Sequence, residues 1–232
     1  DGMPGTFVTA SDRHGVVRVW NVSNAAPLHS IKTDHGPVSS IASLQNETKA
    51  AVSFASGHVA VLDVKDHRGQ WSNDGGHTET IFDCHLSGEN PHTLVTCSFD
   101  GTVRRWDTRT KKGIQTFKTT DARSKDSALG GGDIKNDHGG KGALYSCAIS
   151  CDGSIVCASG FEGKLYFFDV KTGRTLPSIH AHDLSVHRIA AHPKEGGLFA
   201  AASLDGSVSI FTKDGVRLFI MTQDPCSGVA FD

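Results

Sequence analysis

Long apolar runs are missing. No stretch approaches the ~20 residues that a membrane-spanning helix needs, and the opening residues do not read as a secretory leader. The expectation is therefore no membrane insertion. Helical periodicity is absent as well, which excludes a helix bundle. Cysteine pairs with metal-ligand spacing are lacking. The six cysteines, Cys84, Cys97, Cys147, Cys151, Cys157 and Cys226, include no C-x-x-C; Cys147 and Cys151 stand four apart with no matching second pair. This speaks against a zinc ribbon or a disulfide framework. Most fall in predicted strands, where cysteine behaves as a small apolar residue, and reduced thiols point to an intracellular, cytoplasmic or nuclear protein. Catalytic signatures are equally scarce. Gly139-Gly140-Lys141-Gly142 lacks the spacing and the preceding strand of a phosphate loop. No G-x-S-x-G occurs. His180, His182, His187 and His192 fall close together but read as loop and strand residues rather than metal ligands. A net charge of −2 gives no broad attraction to nucleic acid. The chain is thus expected to be no enzyme, with no cofactor and no small-molecule substrate.

What is present is a repeated hairpin. Gly15, Gly57, Gly101, Gly163 and Gly206 are each followed, five residues on, by Trp20, Leu62, Trp106, Phe168 and Phe211. The intervals between these glycines are 42, 44, 62 and 43 residues. A period of ~40–45 with four short strands per unit marks a propeller blade. Between the marks the side chains alternate. Val17/Val19, Val59/Val61, Val103/Arg105, Leu165/Phe167 and Val208/Ile210 share one face, as a strand packed on a neighbouring sheet requires. Arg105 alone breaks this face; it needs an acid or carbonyl partner if buried, or an edge position from which to reach water.

The ruler predicts an all-β propeller with five visible repeats, at about 6–34, 35–75, 76–118, 143–181 and 182–222. Residues 119–142, rich in glycine and poor in apolar groups, read as a loop inserted between two blades. Gly228–Phe231 is predicted as a last strand that starts a further blade or closes the ring. A ring of about seven blades needs ~300 residues at this period. The first residue is Asp1 rather than Met, so the chain reads as part of a larger propeller. A five-bladed ring and an open propeller completed by another protein are the alternatives.

In the third repeat, Gly76-His77, Ser98-Phe99-Asp100-Gly101 and Trp106-Asp107 together resemble a WD40 repeat. The resemblance covers nearly the whole chain as five repeats, at full strength only here. It implies a buried hydrogen-bonded tetrad of His77, Ser98 (or Thr96, of the same strand parity), Asp100 and Trp106. A buried indole N–H and imidazole need acceptors in any case, and a short chain of such bonds stiffens a sheet. The other repeats depart from the pattern. The fifth has His182, Ser203 and Asp205 but Phe211 for Trp. The fourth has Glu162, Phe168 and only His138. The second has His35 with Ser56 and Leu62, and the first has Trp20 with His14.

The resemblance implies a non-catalytic scaffold for protein–protein contacts, a subunit of an intracellular multiprotein complex. The candidate partner-binding residues are Arg104, Arg105, Arg109, Lys111, Lys112 and Lys118, a basic edge on the outer strands of the third repeat. Such an edge also suits an RNA backbone, giving an RNA-associated component as the alternative. Trp106-Asp107-Thr108-Arg109 resembles the W-D-x-R element of WD40 substrate receptors for cullin-type ubiquitin ligases, a third reading. The insertion is either a tolerated surface loop or a partner-binding one.

Overall fold

The computed structural model describes every residue except 1–5, 11–12, 22, 44–48, 64–67, 73–75, 89, 91, 120–141, 223 and 232. Its strands form five antiparallel sheets that follow chain order. The first sheet has β1 (Thr6–Ala10), β2 (Val16–Asn21) and β3 (Ala26–Lys32). The second has β4 (Val38–Ser43), β5 (Lys49–Phe54), β6 (Val59–Asp63) and β7 (Arg68–Ser72). The third has β8 (Ile81–Leu86), β9 (Thr93–Ser98), β10 (Thr102–Asp107) and β11 (Lys112–Lys118). The fourth has β12 (Leu144–Ile149), β13 (Ile155–Gly160), β14 (Lys164–Asp169) and β15 (Ile179–His180). The fifth has β16 (Val186–Ala191), β17 (Leu198–Ser203), β18 (Ser207–Thr212) and β19 (Arg217–Thr222). The fold is all-β, with the sheets as propeller blades.

The alternation read from the sequence is what stacks the blades. Val17, Val59, Val103 and Leu165, each two residues past its turn glycine, are at most 3% exposed because each faces the next sheet. Four core clusters result, and each bridges two consecutive blades. Among the described residues no such cluster joins the fifth blade to the first. The trailing face of the fifth blade accordingly lies open. Met221, opposite Val208, is 42% exposed, whereas its counterparts Phe117 and Ile31 are 2% and 9% exposed.

Consecutive blades are also pinned through the turn. Gly57 has φ of +80°, and a Cβ there would stand 2.2 Å from the His77 carbonyl oxygen, so only glycine fits this approach. The Gly57 carbonyl accepts from the His77 N–H at 3.1 Å.

One strand is short and one predicted strand does not form. The outer strand of the fourth blade is cut to the two residues of β15 and a lone bridge from Phe168 to Thr175, because Pro177 has no N–H to offer a ladder. Gly228–Phe231 forms no strand; the Cys226 N–H is spent on the Ser203 carbonyl, and Phe231 instead packs edge-on against His192. The interior of the predicted insertion, with His138, lies outside the described residues. Its ends are described and they touch, since a Cβ at Gly142 would sit 2.2 Å from Thr119 Oγ1.

Each inner strand from the second to the fifth blade carries a bulge at one place. The register slips between Val38 and Ser40, Ile81 and Asp83, Leu144 and Ser146, and Val186 and Arg188. A bulge re-aims the side chains beside it, and these four build the centre of the molecule.

Candidate functional site

The third blade contains a directed chain of hydrogen bonds. Trp106 Nε1 donates to Thr96 Oγ1 at 2.9 Å. Thr96 Oγ1 lies 2.8 Å from His77 Nε2, and His77 Nδ1 lies 2.9 Å from Asp100 Oδ2. With the indole N–H as a fixed donor, the threonine O–H donates to Nε2, and a neutral imidazole donates its Nδ1–H to the carboxylate. Burial lowers the His77 pKa against the pull of Asp100 and so keeps the ring neutral. Burial alone would raise the Asp100 pKa; hydrogen bonds from His77 and Thr102 outweigh it and hold the carboxyl well below its usual range.

Of the two hydroxyls that the sequence offered, Thr96 rather than Ser98 stands between His77 and Trp106. Ser98 shares the strand face but stands nearer the turn, where its Oγ donates to the Glu79 carbonyl and accepts from the Asp100 N–H. The array resembles a catalytic His–Asp–hydroxyl set in composition alone. The His77 side chain is 0% exposed and both its nitrogens are engaged inside the scaffold.

The same offsets show where the other blades lose the chain. His182 binds Asp205 at 3.2 Å and Ser207 at 2.7 Å. Ala201 stands where Thr96 would, and Phe211 where Trp106 would, so the buried His182 Nε2 has no partner among the described residues. Arg217 lies over the Phe211 ring and donates to the Ala181 carbonyl, closing the blade by another route. In the second blade, Thr33 rather than His35 takes the histidine's place. Its N–H and Oγ1 both bond the Gly15 carbonyl, while His35 stacks on His58 at 4.7 Å. Thr119 does the same to Gly101 ahead of the fourth blade.

The six basic candidates are spread along one hairpin. Arg109 is bound to Asp107 at 2.8 Å at the end away from the turn glycine. Lys111 and Lys112 sit beside it, and Lys118 pairs with Thr102 at the opposite end. Arg104 and Arg105 lie on opposite faces of β10. Arg105 faces the Val95 side; it is half-buried, with its Nε unpartnered among the described residues and its pKa lowered by burial. The structure therefore brings no more than three of the six to one spot. The histidines 180–192 also part company: His187 packs on Tyr145 and His192 on Phe231.

What the sequence reading missed grows from the bulges. The residue after each bulge turns inward. Asp83, 3% exposed at its side chain, accepts from Ser40 Oγ at 3.1 Å, Ser146 Oγ at 2.7 Å and Arg188 at 3.0 Å. Ser146 Oγ in turn accepts from the Ile189 N–H. One carboxylate therefore ties four inner strands. The bulged residues themselves turn outward. Phe82 meets Tyr145 edge-on at 5.2 Å, Tyr145 meets His187 at 5.1 Å, and Phe82 meets Phe99 at 6.1 Å. Phe82 and Phe99 are each 38% exposed. With exposed Phe161, Leu184 and Leu204, this aromatic rim covers the turn-glycine end of the arc. An aromatic at the second position of three inner strands, where alternation calls for a polar group, was the available signal.

The family model described as "WD domain, G-beta repeat" matches residues 52–107 and 173–212, the stretches that hold His77 and His182. Among curated relatives, periodic tryptophan protein 2 of Arabidopsis thaliana is 26% identical over 136 residues, 58% of this chain and 13% of that protein. WD repeat-containing protein GTS1 of Arabidopsis thaliana is 24% identical over 84% of this chain and 46% of its own length. A guanine nucleotide-binding protein subunit beta of Oryza sativa subsp. japonica is 21% identical over 94% of this chain and 56% of its own length. The chain spans little more than half the length of these relatives at most.

Proposed function

The chain belongs to the WD40-repeat family, and from that premise we propose that it is a non-catalytic scaffold that holds other proteins in an intracellular multiprotein complex. The observation that carries this reading is the aromatic rim. Large apolar side chains gathered in solvent at one end of a domain mark a partner surface; here the bulges aim Phe82 and Tyr145 outward beside Phe99, and Phe161, Leu184 and Leu204 are exposed in turns and loops of the neighbouring blades. Fold alone does not name the partner. The buried thiols fit a reducing compartment; burial pushes Cys84 up to about 12, so it stays a thiol. No helix among the described residues is long and apolar enough to cross a membrane.

The test is cross-linking affinity purification with the wild type, a Phe82→Ser/Tyr145→Ser variant and a Lys111→Glu/Lys112→Glu variant. Loss of partners with the first variant alone supports the rim. Loss with the second alone moves docking to the basic edge and favours the RNA-associated reading, whose binding would also fall steeply with salt. A ligase-adaptor role would show as adaptor capture lost in Arg109→Ala, since Arg109 is exposed and oriented by Asp107.

A further inference from the structure

The rim carries a statement about its partner's chemistry, which rests on the scaffold reading. We infer that it binds an extended protein segment in which a Lys or Arg side chain is flanked by apolar residues.

The rings supply one half of the argument. Phe82 stands at 83° to Tyr145 and at 56° to Phe99, so the three rings form a corner rather than a flat stack. A corner presents ring faces to a side chain that enters it, and a cation within ~6 Å of such a face is attracted by the ring quadrupole. Apolar neighbours of that side chain would meet Phe161, Leu184 and Leu204, which are 55%, 52% and 37% exposed.

Charge supplies the other half. Glu79 is exposed on the loop that enters the third blade, three residues before Phe82, and Asp183 is exposed beside Leu184 on the loop that enters the fifth. Both loops are held. The Glu79 carbonyl accepts from Ser98 Oγ, and the Asp183 N–H donates to Asp205. Asp34 is exposed on the corresponding loop of the second blade. Arg104 acts on His77 inside the third blade, and two other bases of this end are paired with acids. Lys164 is paired with Glu162 at 2.9 Å, and Arg188 with Asp83 at 3.0 Å. Lys118 lies on the outermost strand of its blade. An aromatic corner with acids on the entering loops disfavours an acidic segment by repulsion and favours a basic one, so the surface sets specificity as well as affinity.

The experiment titrates the full chain into fluorescein-labelled peptides that alternate leucine with arginine, leucine with glutamate, and serine with arginine, read by anisotropy. The leucine–arginine peptide is expected to bind at least about ten-fold more tightly than the other two. Phe82→Ser should weaken it by about ten-fold, and Glu79→Lys with Asp183→Lys should transfer the preference to the leucine–glutamate peptide. Lys171→Glu, exposed in the turn after β14 at the far end of the fourth blade, should change nothing. Equal binding of the glutamate peptide, or an unchanged affinity in Phe82→Ser, overturns the inference; the exposed Glu79 and Asp183 variants test it even if Phe82→Ser does not fold. A cross-linked partner held through Phe82 but lacking any basic segment would leave the scaffold reading standing and remove this one. Absence of any retained partner would remove the scaffold reading itself.

Discussion

Asp83 on β8 and Arg188 on β16 stand 105 residues apart in the chain and 3.0 Å apart in space. The two belong to blades that do not adjoin, with the fourth blade between them. Ser146 of that middle blade donates to the other carboxylate oxygen of Asp83, so the carboxylate closes a bridge over three blades.

Asp83→Asn should therefore destabilise the arc by about 3 kcal/mol, because it leaves Arg188 and two serines arranged around a neutral group. Arg188→Met should cost less, on the order of 1 kcal/mol, since the Arg188 side chain is 47% exposed and Asp83 keeps its serine donors. Urea unfolding of both variants measures the difference; equal losses would contradict the central role of the carboxylate.

Thr96→Val keeps shape and removes the hydroxyl shared by His77 and Trp106. Orphaning two buried groups predicts a loss of about 2–4 kcal/mol, against about 1 kcal/mol for Ser98→Ala, which releases only backbone partners at the turn. A larger effect at Ser98 would restore it as the hub.

Ala201→Ser places one oxygen where the fifth blade lacks it. The new hydroxyl can donate to His182 Nε2, the buried nitrogen without a partner among the described residues. A gain of about 1 kcal/mol is expected, read as a raised urea midpoint, and the gain should vanish in an Ala201→Ser/His182→Gln double variant.

Acid should weaken the protein in two stages. Burial lowers the pKa of His77 and His182 below 6.5, so the unfolded chain binds more protons just under that pH. Stability is then complete above 6.5 and falls with pH until the folded-state values are passed. Asp100 and Asp205 are held below 3.8, so a second loss begins as pH drops through that value. Urea midpoints at intervals from pH 7.5 to 3 would show both steps. A midpoint that rises on acidification to pH 5.5 would contradict the neutral imidazoles.

The hairpins and the packing face were legible because turn glycines and period-two alternation are local signals. Hence the strand that carries Val103 and Arg105 forms directly after Gly101, as Thr102–Asp107. The centre was not legible in the same way. Asp83 finds Ser40, Ser146 and Arg188 only once four bulges are in register, and a bulge leaves no mark in a period-two pattern beyond one aromatic too many. The basic residues 104–118 looked like a patch because they are adjacent in sequence. On a strand, adjacent side chains face opposite ways, so Arg104 and Arg105 part. Thr96 and Ser98 share parity, and only the depth of His77 in the blade decides between them.

The contact of Thr119 with Gly142 has an entropic consequence. Each doubling of the length of a loop costs only about 0.6 kcal/mol of closure entropy. With Thr119 and Gly142 side by side, closure entropy alone therefore sets little limit on the length of chain that can join them.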